Sequence, residues 1–235
     1  MLDTDYQDIR DAVRSLCAEF PAEYHRKIDE ARGYPEAFVD ALTKAGWMAA
    51  LIPEEYGGSG LGLTEASVIM EEINRSGGNA GACHGQMYNM GTLLRHGSEQ
   101  QKALYLPKIA TGEWRLQSMG VTEPTTGTDT TKLKTTAVKK GDRYVVNGQK
   151  IWTSFGADAD YCYLICRTNS EGPPHRGISE VIVPMDTPGI EIRRIKDMTT
   201  NQHFCEVFFT DARVPVENLV GAEGGAFKQT MTQLE

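Results

Sequence analysis

The stretch VTEPTTGTDTTKLK, from Val121 to Lys134, concentrates short hydroxyls around one proline and one glycine. Pro124 removes a backbone donor and Gly127 frees the backbone, so the segment reads as a loop with exposed N–H groups. Thr122, Thr125, Thr126 and Thr128 each offer one donor and two acceptors. Such a loop suits a planar ligand edged with alternating C=O and N–H groups, or a phosphate. It equally suits a polar turn that bonds to itself. Further on, Lys150-Ile151-Trp152-Thr153-Ser154 sets a large aromatic beside two hydroxyls. That is either a stacking surface with polar tips or a core tryptophan at a strand end. Glu123 lies inside the threonine loop, as a candidate base or as a brace that accepts backbone N–H bonds. Lys132, Lys134, Lys139, Lys140 and Arg143 form a basic run, read as a solvated strand face or as a phosphate contact. His203 lacks partners at ligand spacing, and no metal site is expected there.

These groups must be held by elements, and the hydrophobic period of the chain changes near residue 117. Before it, helices are expected. Ile9, Val13, Leu16, Cys17 and Phe20 share one helix face, with Thr4 and Gln7 as a capping box at its start. A second helix starts at Pro35 and runs to Gly46, with Phe38, Leu42 and Ala45 on one side. Thr64 caps a third, with Ala66, Ile69, Met70 and Ile73 inward. A fourth spans Ala80 to Arg95 and carries His84, Met87, Tyr88 and Met90. Ser98 with Gln101 makes a capping box for a fifth, followed by Leu104, Leu106 and Ile109. Glycines and a proline exclude regular structure from Leu51 to Gly62, which reads as a fixed loop. After residue 117 strands are expected: Arg143–Trp152 with an Asn147-Gly148 type I′ hairpin turn, Tyr161–Arg167, Glu180–Val183, Ile190–Arg194 and Cys205–Phe209. Beyond Gly221 a helix begins, with Phe227, Met231 and Leu234 as its apolar face. The class is therefore α+β: an all-α N-terminal domain at 1–117, an antiparallel β domain at 118–222, and the start of a further helical domain at 223–235. The last helix needs a partner, so the chain reads as cut at the start of that domain.

Composition narrows the partners. The 235 residues are 40% hydrophobic, enough for a real core, and carry a formal net charge of −8. That balance argues against nucleic acid and anionic membranes. No apolar run reaches the roughly 20 residues of a membrane span, and the acidic N-terminus shows no signal-peptide pattern. Five scattered cysteines without C-x-x-C suggest a reducing, cytoplasmic setting. Cys162 and Cys166 share one face of a strand as buried thiols.

Taken together, the motifs resemble the acyl-CoA dehydrogenase family of flavoproteins. The resemblance rests on TEPTTGTD at Thr122–Asp129 and NGQKIWTS at Asn147–Ser154. PEEYGGSGLG at Pro53–Gly62, GSEQQKALYLPKIATGE at Gly97–Glu113 and FTDARVPVENLVG at Phe209–Gly221 add to it. It covers essentially the whole chain. It implies FAD as cofactor, with Met119, Gly120, Val121, Thr122, Trp152, Thr153 and Ser154 around the isoalloxazine and Ser154 near N5. It implies an acyl-CoA substrate touching Thr128, with the helix bearing His84 and Tyr88 flooring the acyl pocket. The implied reaction, in fatty acid and lipid metabolism, is desaturation of a thioester between Cα and Cβ, with hydride passing to flavin N5. An oxidase or flavin monooxygenase on the same scaffold is the alternative, as is a non-catalytic fragment needing another chain. The family's catalytic glutamate lies in the C-terminal helical domain, so the base is expected beyond Glu235. An electron-transfer flavoprotein or similar acceptor, and a homo-oligomer (tetramer or dimer) when complete, are implied as partners.

Overall fold

The computed structural model describes residues 5–234, with side chains described to Thr232. Six helices come first: α1 Gln7–Ala18, α2 Ala22–Ala31, α3 Glu36–Lys44, α4 Leu63–Arg75, α5 Gly81–His96 and α6 Glu99–Thr111. Eight strands follow: β1 Leu116–Gly120, β2 Thr136–Lys140, β3 Arg143–Ser154, β4 Tyr161–Arg167, β5 Ile178–Pro184, β6 Ile190–Ile195, β7 Phe204–Pro215 and β8 Leu219–Val220. Helix α7, Ala226–Leu234, closes the described chain. The strands form one sheet in the order β6-β7-β3-β2-β4-β5-β8, with β1 on β4. Pairings are antiparallel except β1 with β4 and β2 with β4, which are parallel.

The sheet separates two cores. Strand alternation sends Tyr163 and Ile182 toward the helices, where they join Phe38, Leu42, Ile69, Met90 and Leu93. Cys162, Leu164 and Cys166 point the other way and pack with Tyr144, Val207 and Val214. Each fully buried aliphatic side chain contributes about 1.5–3 kcal/mol, so the first core fixes the sheet against the helices and the second holds the strands together on the sheet's other face. The shared face expected for Cys162 and Cys166 is present, and all five thiols are free and buried.

Several expectations change. Asn147-Gly148 is not a hairpin turn. It lies within β3, where the register against β7 shifts between Val146 and Gly148. Asn147 spends its side chain across the sheet, donating to Asp211 Oδ1 at 3.0 Å and accepting from the Asp211 N–H at 2.9 Å. Gly148 is needed there because its φ is +147° and a Cβ would lie 2.5 Å from Thr135 Oγ1. The real β2–β3 turn falls at Gly141-Asp142. Helix α4 is capped at Gly62, whose N–H donates to Glu65, and Thr64 lies inside it. The Ser98–Gln101 box stands as expected, with both reciprocal bonds formed. Ala45 and Leu104 are exposed. Thr4 lies outside the described residues, and α1 instead starts after Tyr6 in a left-handed conformation. Arg10, on α1, is buried against Glu72 of α4 at 2.5 Å, an inward charge that apolar periodicity does not reveal.

Helix α7 buries a different face from the apolar one expected. Ala226 and Gln229 are buried, whereas Met231 is 48% exposed. Gln229 Nε2 donates to Glu180 Oε2 at 3.0 Å and to the Val220 carbonyl at 3.1 Å. Leu234's side chain lies outside the described residues. Among the described residues, no helix is long and apolar enough to cross a membrane.

Candidate functional site

Helix α5 lies directly on strand β1. A Cβ at Gly85 would stand 2.9 Å from the Gln117 carbonyl oxygen, so glycine permits the contact. One turn further, the Tyr88 hydroxyl donates to Met119 Sδ at 3.4 Å, and the His84 and Tyr88 rings stack at 5.9 Å. The buried Gln117 amide accepts from the Tyr34 hydroxyl at 2.7 Å. Burial pushes the Tyr34 phenol up to about 12, so it stays a neutral donor. The Ser118 hydroxyl donates to the Ser154 carbonyl at 2.9 Å, which fastens the end of β3 beside β1.

Between these elements lies a cleft of about 510 Å³. Helix α2 supplies one wall with Ile28 and Arg32, and α5 supplies Gly81, His84, Gly85, Tyr88 and Asn89. Met119, Ser154, Phe155, His203 and Phe204 come from the sheet side. Its lining includes the Arg194–Asp158 ion pair, at 2.7 Å. A cleft of this size lies within the ligand-pocket range of about 300–1,000 Å³.

The threonine loop adjoins the cleft through β3. Ile151 N–H donates to the Thr122 carbonyl at 2.9 Å, so Val121–Thr122 runs beside Ile151–Trp152. Trp152 is 53% exposed and adopts a left-handed backbone with φ 59°; Phe155 does the same with φ 54°. Such a conformation costs a bulky residue on the order of 1–2 kcal/mol. Strain of this kind persists where neighbours impose it, often at ligand sites. It turns the indole out of the sheet, edge-on to Phe204 at 5.9 Å.

Glu123 is a brace and not a free base. It is 5% exposed. Its carboxylate accepts from Lys150 Nζ at 2.9 Å and from the N–H groups of Lys134 and Thr135 at 2.6 and 2.8 Å. Burial alone would push this carboxyl up, but Lys150 and the two N–H donors hold it below the usual range. The same burial pulls Lys150 down.

The structure therefore brings Met119, Ser154, His84 and Tyr88 into one cleft, with Trp152, Val121 and Thr122 on the adjoining surface. Gly120 is buried under Lys150, and Thr153 is 1% exposed with its hydroxyl unpartnered. Thr128 is exposed on the loop, away from the cleft lining. The basic residues Lys132, Lys134, Lys139, Lys140 and Arg143 are all exposed. The sequence did not reveal α2, β1 and β2, nor Ile28 on α2 and Arg32 and Tyr34 in the segment after it. The Glu23–Lys27 pair, four apart and 3.1 Å in space, was the available sign of α2. Phe155, Arg194 and His203 carried no local signal.

The observations fit a flat aromatic group with polar edges. A half-exposed indole is held outward by strained backbone. The Thr122 N–H beside it has no protein acceptor among the described residues, and Ser154 leads from that surface into the cleft.

Comparisons with known proteins place the chain's fold among relatives. Residues 3–113 match the family model for the acyl-CoA dehydrogenase N-terminal domain, and residues 118–212 match that for the middle domain. The chain is 34% identical to "Acyl-CoA dehydrogenase IpdE1" of Mycobacterium tuberculosis, over 98% of this chain and 62% of that protein. An acyl-CoA dehydrogenase structure from Geobacillus kaustophilus superposes with a TM-score of 0.92 at 33% identity, covering 99% of this chain and 62% of that one. A structure described as "Tcur3481-Tcur3483 steroid ACAD" gives a TM-score of 0.88 at 34% identity, covering 100% and 61%. The chain thus spans about three-fifths of the length of each.

Proposed function

The chain belongs to the acyl-CoA dehydrogenase family, a family of FAD-dependent flavoproteins, and on that premise we propose that it contributes the flavin wall and acyl cleft of an acyl-CoA dehydrogenase. The observation that carries this reading is the continuous surface from the outward Trp152 indole through Ser154 to the cleft. FAD, when bound, supplies the two-electron oxidation that removes hydrogen from Cα and Cβ of the acyl group.

This chain's residues bind and orient. Trp152 offers a stacking face, Val121 and Thr122 offer a backbone edge, and Ser154 offers a hydroxyl where the two surfaces meet. Met119, Tyr88 and Phe155 exclude water from the acyl group, and His84 and Tyr88 floor it. Gly120 lets Lys150 pass beneath the wall, and the buried Thr153 anchors its far side. Thr128, exposed, is left for the CoA arm. The domains divide at 117/118 and 222/223. The likeness to a structure described as a steroid ACAD supports a bulky, ring-containing acyl group, and a comparable likeness to isovaleryl-CoA dehydrogenases supports a short branched one. The former likeness, to a structure described by two names, also favours assembly with another chain. An electron-transfer flavoprotein is the acceptor most consistent with the family. The five free, buried thiols support a cytoplasmic setting.

The test mixes FAD-loaded protein, assembled with the helical domain or chain expected to carry the base, with acyl-CoAs without oxygen and follows loss of flavin colour. Bleaching by a ring-containing acyl-CoA and by a short branched one, compared side by side, separates the two substrate classes, and no bleaching of that assembly by any acyl-CoA would contradict the reading. Ser154→Ala should slow bleaching about fivefold to tenfold, the worth of one neutral hydrogen bond, with little change in thermal midpoint. Equal rates would remove Ser154 from the site.

A further inference from the structure

Lys150 is 0% exposed, and its partner Glu123 is 5% exposed. Burying both charges costs several kcal/mol per ion. A pair of well-packed apolar side chains in the same place is often as stable, so fold stability alone does not account for the pair. Its geometry does more. Lys150 Nζ donates at 2.9 Å both to Glu123 Oε1 and to the Val121 carbonyl oxygen. Glu123 also accepts from the N–H groups of Lys134 and Thr135. A single ion pair thus joins the end of β1, the threonine loop, the lead into β2 and the middle of β3.

The Val121 carbonyl and the Thr122 N–H belong to one planar trans peptide, so they point in opposite directions. An ammonium on the carbonyl draws electron density from the unit and makes the N–H a stronger donor. That N–H lacks a protein acceptor among the described residues. The neighbouring Thr122 carbonyl is already fixed by Ile151 N–H at 2.9 Å, so the peptide has no freedom to rotate.

We infer that Lys150 and Glu123 are positioning residues that hold and polarise the Val121–Thr122 peptide, so that its N–H binds an acceptor atom on the polar edge of the flavin. This rests on the reading of the Trp152 surface as a flavin wall. The pair acts on the cofactor through the backbone, and its loss is felt in affinity and redox behaviour before chemistry begins.

The test compares wild type, Lys150→Met and the double variant Lys150→Met/Glu123→Leu. Readouts are the FAD dissociation constant, the flavin reduction potential and the thermal midpoint. Lys150→Met strands a buried carboxylate and should lower the midpoint. The double variant should recover the midpoint, yet bind FAD roughly tenfold to a hundredfold more weakly than wild type, the worth of a charge-assisted bond. Its flavin should be harder to reduce, because a polarised donor that stabilises added electrons is gone. A double variant with wild-type affinity and potential would show the pair to be structural only and overturn the inference, with the flavin wall left standing. A double variant that does not recover the midpoint but loses no affinity overturns it equally. Wild-type protein that binds no FAD would overturn both readings.

Discussion

Raising the pH from about 5 to about 8 is expected to remove roughly 3 kcal/mol of folding stability through one residue, Glu180. Glu180 lies on β5 and is fully buried. Oε2 accepts from Gln229, and Oε1 has no hydrogen-bond partner. Burial pushes its carboxyl from 4.5 up to about 7, with Gln229 opposing the rise. The unfolded chain gives up this proton near its ordinary value, whereas the folded chain keeps it to about 7. The stability is therefore complete below about pH 4.5 and is lost as pH rises through 7. Other groups work against it. His25 and His96 are held low by burial, so the stability they contribute grows as pH rises toward the ordinary histidine range. Glu123 and Glu72 are held low as well and act at the acid end, below the window. The difference between wild type and Glu180→Gln isolates the residue. Urea unfolding at pH 5, 6, 7 and 8 should show wild type losing about 3 kcal/mol relative to the variant. Parallel curves would mean that Glu180 titrates normally.

Trp152→Ala is expected to weaken FAD binding by roughly 1–3 kcal/mol, about fivefold to 150-fold in dissociation constant. The loss should fall on the ligand, because the indole is half exposed and touches Phe204 edge-on. Trp152→Phe keeps an aromatic face and should restore part of the affinity. FAD titration into the three apo proteins, with thermal melts alongside, separates the cases. A changed midpoint with unchanged affinity would make Trp152 a packing residue.

What the sequence revealed follows the range of the forces involved. The Ser98–Gln101 cap is a bond between neighbours in the chain, and it forms as read. The alternation of Cys162 and Cys166 is a property of one strand, and it survives in the sheet. The loop and the NGQKIWTS segment were legible as motifs because their residue types are specialised. Asn147-Gly148 misled because its local preference for a turn yields to pairing with Asp211, distant in the chain. The strain at Trp152 and the carboxylate at Glu180 were invisible for a related reason: a residue's φ and its burial are set by neighbours the sequence does not name. In the candidate site, the Trp152 surface and the α5 side of the cleft, with His84 and Tyr88, were legible in the sequence, whereas the cleft's far side was not. Its far side is α2, a charged helix with no buried residue, and its lining includes an ion pair between Asp158 and Arg194.

The most direct measurement is amide hydrogen exchange on the protein with and without FAD. Slower exchange on binding should concentrate at residues 119–123 and 151–155, the two backbone runs that meet at Trp152. Protection confined to other segments, or none at saturating FAD, would contradict the assignment of this surface as the flavin wall.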